Sequence, residues 1–405
     1  MPSLFCSCFS TYSQPLRLLL LFLFIYIYVV NITDGGTNMH FTAPKTDLNN
    51  LTQITMRAVS QRNPLPVLSC LLFETNNNKL IMTATDLEFG IRCSMPIDTV
   101  IEGAAALPGK YVASVLTRLP EVNIDVITDL STNTTSFSYD GSEMVLHGFP
   151  AEEFPRFPAL PEEPSFTIGQ NVFKTMLKRV LFAVAHDEHR PVFNGINIRI
   201  SDDGMLSMVA TDTRKLAVCE EKVDQLAGRV INIIIPGKTL NELYKVLETV
   251  EDEFKVYVTD NKVFFEIGNI CLMSRLIAGQ YPDYRIVIPN QCLCEVRASV
   301  SALIDAAERA MLLVSARRNV FNIKFQPGEL LIYFNSDSGR IREEIGAQFS
   351  GEPLDVGFNI RFFIDLLKSA DTEEIIIKLS GYNSPAVFKP VDNESYFSIL
   401  VPAIA

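Results

Sequence analysis

Met82-Thr-Ala-Thr-Asp-Leu-Glu-Phe-Gly-Ile-Arg-Cys93 returns as Met208-Val-Ala-Thr-Asp-Thr-Arg-Lys-Leu-Ala-Val-Cys219, and more faintly as Tyr333-Phe-Asn-Ser-Asp-Ser-Gly-Arg-Ile-Arg342. The anchoring aspartates, Asp86, Asp212 and Asp337, lie 126 and 125 residues apart, far beyond the roughly 20–50 residue period of solenoids and propellers. Each copy is long enough to be a domain. The aspartate reads as a turn residue in every copy, because its carboxylate can accept hydrogen bonds from the backbone just ahead and fix a strand exit.

Working outward, each copy opens with an amphipathic helix, over 46–59, 170–184 and 299–313, with apolar residues at spacings of three and four. Strands follow, such as 194–200 and 205–210 around the polar turn Ser201-Asp-Asp-Gly204. A second helix covers 108–119, 236–247 and 359–368. In the first two copies it begins Pro-Gly-Lys, with the proline expected in the first turn, where a missing N–H costs nothing. Each copy is a helix-plus-sheet motif used twice, which is α+β architecture. Proline-rich 155–164 and the stretch 289–294 read as linkers. They divide the chain into domains at 39–162, 163–290 and 291–405.

Residues 1–38 stand outside the repeat. Their apolar run, 18–30, is short for a membrane span, which needs about 20 residues, and resembles a signal segment without a cleavage site. Met39-His-Phe-Thr opens the first copy directly, so the expectation is that the leader is upstream sequence from a mis-assigned start, or disordered. The eight cysteines show no metal-ligand spacing and read as reduced, mostly buried thiols of a cytoplasmic protein.

No phosphate-cradling Gly-x-x-x-x-Gly-Lys loop or nucleophile elbow is present, so no catalytic residue, metal or cofactor is expected. His186-Asp-Glu-His189 has the wrong spacing for two ligands on one helix face and reads as a solvated helix end. A metal-dependent hydrolase on those histidines and an exported three-domain adhesion protein are the competing classes; the missing catalytic constellation counts against the first and the unpaired cysteines against the second. The net charge of −12 excludes a uniformly basic nucleic-acid coat. Yet lysine and arginine recur on the helices, including Arg57, Arg118, Lys174, Lys178, Lys238, Lys245, Arg309 and Lys368. A shared basic surface of that kind follows duplex DNA without reading its sequence.

Leu65-Pro-Val-Leu68, Ala84-Thr-Asp86, Phe193-Asn-Gly195, Val209-Ala-Thr-Asp212, Tyr281-Pro-Asp-Tyr-Arg285 and Leu400-Val-Pro402 resemble the bacterial sliding clamp family, the beta subunit of DNA polymerase III, over the whole of 39–405. The resemblance implies three tandem DNA-clamp domains and a head-to-tail homodimer closed into a ring around double-stranded DNA. It also implies no catalytic activity, and as partners the polymerase III alpha subunit, the clamp loader and other clamp-motif proteins.

Transferred by position, the resemblance implies DNA contact at Arg62 and Lys110; Lys174, Lys178, Lys238 and Lys245 are added from their charge on helices. The partner-peptide pocket maps to Phe193, Thr211, Thr213, Leu216, Pro282, Val287, Ile399, Leu400, Val401 and Pro402. Arg214, Lys215 and Ile286 lie at matching positions too. The dimer interface maps to Met144 and Leu146 against Leu312 and Leu313. Thr213-Arg-Lys215 and Ala403-Ile-Ala405 depart from the family pattern, which implies an altered motif preference.

Overall fold

The computed structural model describes residues 39–60, 65–187, 189–223, 230–315 and 319–403. The leader with Cys6 and Cys8, and Arg62, lie outside them. The described chain forms two compact units, divided after Pro158.

In the first unit, helix α1 (Lys45–Thr55) and helix α2 (Gly109–Arg118) pack together. Met39–Pro44 pairs with Asn123–Asp129, which continues through Thr134–Tyr139 to the edge strand Ser142–His147. Ala104–Pro108 pairs with Cys70–Asn76, which continues to Lys79–Thr85 and Phe89–Pro96. The strand before each helix thus joins the sheet made by the strands after the other helix. This exchange locks the two half-motifs into one domain.

The second unit repeats the exchange twice. Helices α3 (Gln170–Val180) and α4 (Gly237–Val246) belong to one copy, and α5 (Val300–Met311) and α6 (Ile360–Ala370) to the next. Phe166–Gly169 pairs with Glu253–Val258, and Ile231–Pro236 pairs with Gly195–Ile200. Cys294–Ser299 and Leu354–Asn359 exchange in the same way with Glu374–Leu379 and Val320–Gln326. Helix spacing decides what is buried: α3 turns Phe173, Met176, Leu177 and Val180 inward. The Phe173 ring meets the edge of Phe254 at 5.3 Å, a favoured aromatic geometry.

Two expectations about local geometry are corrected. Pro108 and Pro236 are not in the first helical turn; each is the N-cap residue and ends the preceding strand, opposite Cys70 and Gly195. In the Pro-Gly-Lys start it is the glycine that close packing requires. A Cβ on Gly109 would come within 2.7 Å of Met56 Sδ, and one on Gly237 within 2.6 Å of Val184 Cγ1. The third copy starts its second helix with Asn359, whose side chain accepts from the N–H groups of Arg361 and Phe362, a conventional N-cap.

The repeated turn also differs among copies. In copies one and two, Asp86 and Asp212 each accept two backbone N–H bonds through Oδ1, from Glu88 and Phe89 and from Arg214 and Lys215. Leu87 and Thr213 take the same left-handed conformation, φ 77° and 76°. The third copy is a shorter turn in which Ser336 pairs directly with Gly339. Its aspartate aligns in sequence, but the turn is not the same device.

Candidate functional site

The turn at Thr211–Lys215 opens the strand Lys215–Lys222, and that strand is where the second and third copies join. It pairs antiparallel with the last strand, Tyr396–Leu400, with Leu216 opposite Ile399 and Lys215 opposite Leu400. A nine-stranded sheet therefore runs without interruption from one copy into the next. On one face Val209, Leu216, Val218, Val387 and Ile399 form an apolar cluster, with Tyr281, Tyr284, Ile288 and Phe397 packed against it.

Alternation along the strand separates the predicted pocket residues. Tyr396 lies on the helix side, where its hydroxyl is 2.9 Å from Ser369 Oγ on α6, so Leu400, of the same parity, points there too and is fully buried. Leu400 therefore faces the helices, on the side of the sheet away from Ile399. Lys215 follows the same rule. Its ammonium donates to Phe182 O and stands 4.7 Å above the Phe362 ring, and burial draws its pKa below the usual lysine value, opposed by Asp212 and Asp365.

Two other predicted residues, Thr211 and Phe193, meet at Tyr281. Its hydroxyl accepts the Thr211 N–H at 3.0 Å, and its ring meets Phe193 edge-on at 6.0 Å. Thr211 Oγ1 donates to Lys215 O and receives the Thr213 N–H, which holds the turn shut. The rim is apolar and open. Ile286 is 81% exposed, Val287 47% and Val401 38%, while Pro282 and Thr213 are exposed and Pro402 half-buried.

The arrangement is a dry floor of Leu216 and Ile399 beneath wet apolar edges, which suits capture of apolar peptide side chains. Tyr281 and Tyr284 were not among the predicted lining residues, although the motif Tyr281-Pro-Asp-Tyr-Arg285 carried them. A groove of about 700 Å³ on this sheet face shares Val209, Tyr281 and Tyr284 with the cluster and is lined also by Arg199, Ser207, Glu220, Asp283 and Arg285 among others. Of the predicted pocket residues only Pro282 borders it.

The basic residues are less free than their sequence suggests. Lys174 donates to Leu247 O at 2.7 Å and lies over the Tyr244 ring, Lys178 bonds Asp371 at 2.6 Å, and Lys245 bonds Glu242 at 2.7 Å. Lys110 and Lys238 are exposed at the starts of α2 and α4. The dimer candidates divide between a sheet edge and a helix end. Met144 is exposed on the edge strand Ser142–His147, with Leu146 half-buried, and Leu312 is 84% exposed just beyond α5. Leu313 is half-buried, 3.7 Å from where a Gly339 Cβ would stand on another edge strand.

His189 is exposed and 3.3 Å from Asp187 Oδ1. Asp187 and Asn194 are bonded to each other through two 2.8 Å bonds that fix this loop. Among the described residues no group of His, Cys, Asp and Glu is placed to hold a metal ion, no helix is long and apolar enough to cross a membrane, and the six cysteines are unbridged.

Tandem copies of one double motif, with the final strand paired back into the middle copy, define a three-domain DNA clamp. Family models for the N-terminal, central and C-terminal domains of the DNA polymerase III beta subunit match residues 39–158, 167–283 and 285–403. The beta sliding clamp of Halalkalibacterium halodurans is 31% identical over 381 residues, 90% of this chain and 99% of the relative; that of Bacillus subtilis is 28% identical with the same coverage. The solved B. subtilis clamp superposes with a TM-score of 0.87 at 27% identity, over 91% of this chain and 100% of that one. A Pseudomonas aeruginosa clamp bound to griselimycin gives 0.85 at 26% identity, with the same coverage. The chain belongs to the DNA polymerase III beta subunit family, and its role is that of a DNA sliding clamp in replication.

Proposed function

We propose that two copies of this chain close head to tail into a ring that encircles double-stranded DNA without reading its sequence. The ring tethers the polymerase III alpha subunit, the clamp loader and other clamp-motif proteins, and has no catalysis of its own. The domains are 39–162, 163–290 and 291–405, and the ring works in the cytoplasm. A basic helix lining within an acidic chain favours sliding over tight binding, because phosphate contacts are sequence-independent and exchange with counterions.

The tethering part of this reading rests on one observation, the ladder from Lys215–Lys222 to Tyr396–Leu400. It places Leu216 and Ile399 on a common face and brings Val401 beside the turn, where the Val401 N–H donates to Arg214 O. A peptide with apolar ends would bury its side chains over that floor. The absence of catalysis is supported by how the repeated carboxylates are used: in copies one and two they are committed to turn N–H groups.

The test is retention on DNA. The protein is loaded onto nicked circular DNA, the DNA is linearised, and bound protein is measured by gel filtration. Loss on linearisation is the expected result. Equal retention on both forms would reject the ring.

A further inference from the structure

The last described residues, 401–403, form a strap held at two points. The Val401 N–H donates to Arg214 O and the Ala403 N–H donates to Gly357 O, both at 2.8 Å. Pro402 between them has no N–H, and its fixed φ limits how the two ends can move independently. The strap thus leaves the nine-stranded sheet and is caught by Leu354–Asn359, an edge strand of the four-stranded sheet.

Gly357 sits on that edge strand opposite Asn322. Its φ is not among the left-handed values, so backbone conformation does not demand glycine here. Space does. A Cβ at this position would collide with Ala403 O and would lie 3.0 Å from Asn322 Oδ1 and 3.1 Å from Val320 Cγ1. A glycine inside a strand marks a place where another backbone comes close, and the chain that comes close is the protein's own C-terminal strap.

We propose that Gly357 is a positioning residue for the partner-peptide pocket. It touches no partner; it admits the strap, and the strap sets Val401 and Pro402 at the pocket rim. This rests on the pocket reading above.

The test uses the full chain and a fluorescent peptide copying the apolar-ended C-terminal segment of a polymerase III alpha subunit. Gly357→Ala displaces the strap, and Ala403→Pro removes the N–H that Gly357 O accepts while leaving the strand untouched. Each is expected to weaken the peptide about tenfold, equivalent to about 1.4 kcal/mol. Amide exchange at Val401 should quicken in both, as should that at Ala403 in Gly357→Ala, with the Lys215–Lys222 strand unchanged.

Deleting residues 401–405 supplies the reference. With the strap gone, Gly357→Ala should add nothing to the deletion's loss. If the deletion weakens the peptide but Gly357→Ala and Ala403→Pro bind like the parent, the positioning role is wrong and the pocket stands. If Gly357→Ala weakens the peptide equally with and without the strap, its effect is general and the role is likewise rejected. If the deletion itself leaves affinity unchanged, the pocket reading fails.

Discussion

Leu216 and Ile399 stand opposite each other in an antiparallel ladder although 183 residues separate them. One follows the second copy's turn and the other precedes the chain's end, so a single hydrophobic floor depends on two domains. Both are nearly inaccessible, at 3% and 1% exposure.

Leu216→Ala therefore has two consequences. Removing a buried leucine leaves a cavity and costs about 2–5 kcal/mol, which lowers the unfolding midpoint of the second unit. The same change removes floor from the proposed peptide pocket, so the polymerase-derived peptide should bind at least tenfold more weakly, a loss of about 1.4 kcal/mol. Calorimetry and fluorescence anisotropy on one preparation read both. A stability loss without an affinity loss would mean that the cluster is core alone.

The parts legible in the sequence were those set by periodicity and repetition. The two helices per copy and the second copy's turn follow from spacing and from one aspartate hydrogen-bonding ahead of itself. Neighbouring strand residues face opposite sides, so a motif naming both Ile399 and Leu400 does not say which of them faces the cluster with Leu216. Lys174, Lys178 and Lys245 looked like free charge because their partners, Leu247 O, Asp371 and Glu242, are set by folding. Asp337 matched in sequence yet sits on a shorter turn; identity at one position does not fix loop length.

Thiol reactivity should follow burial. Cys292 is exposed while Cys93 is buried, and burial pushes the Cys93 thiol up from 9.0 to about 12, a hydrogen bond with Thr55 opposing it. Since the thiolate is the nucleophile, iodoacetamide at pH 8 should label Cys292 and spare Cys93, as read by peptide mass spectrometry. The raised folded-state pKa also fixes the sign of the pH effect. The Cys93 contribution is complete below pH 9.0 and is lost as pH climbs towards 12, by about 1.4 kcal/mol per unit. Cys93→Ala should flatten that part of the alkaline stability curve; an unaltered slope would assign it to other groups.

The dimer reading predicts a clean separation of assembly from folding. Leu312 is exposed in the single chain, so Leu312→Asp costs the isolated subunit little, while a buried unpaired charge at an interface is strongly unfavourable. Light scattering should find a monomer with an unchanged circular dichroism spectrum. Met144→Asp, on the edge strand, should give the same result. A dimer that survives both substitutions places the interface elsewhere.

The lysines can be ranked by what already holds them. Replacing a residue that contacts a phosphate lowers the salt dependence of DNA binding by about 0.9 in the log–log slope. Lys110→Ala should show the larger change, since that side chain is exposed at the start of α2. Lys245→Ala should show less, because Glu242 already compensates part of its charge. Lys174→Ala acts differently: it removes a donor from Leu247 O at the end of α4, so its main effect should be a lower unfolding midpoint, by about 1 kcal/mol of stability for one lost hydrogen bond. Binding isotherms for a short duplex at several salt concentrations, with melting curves for the same variants, separate these roles. If all three lysines change the slope equally, the intramolecular partners do not govern which of them meet DNA.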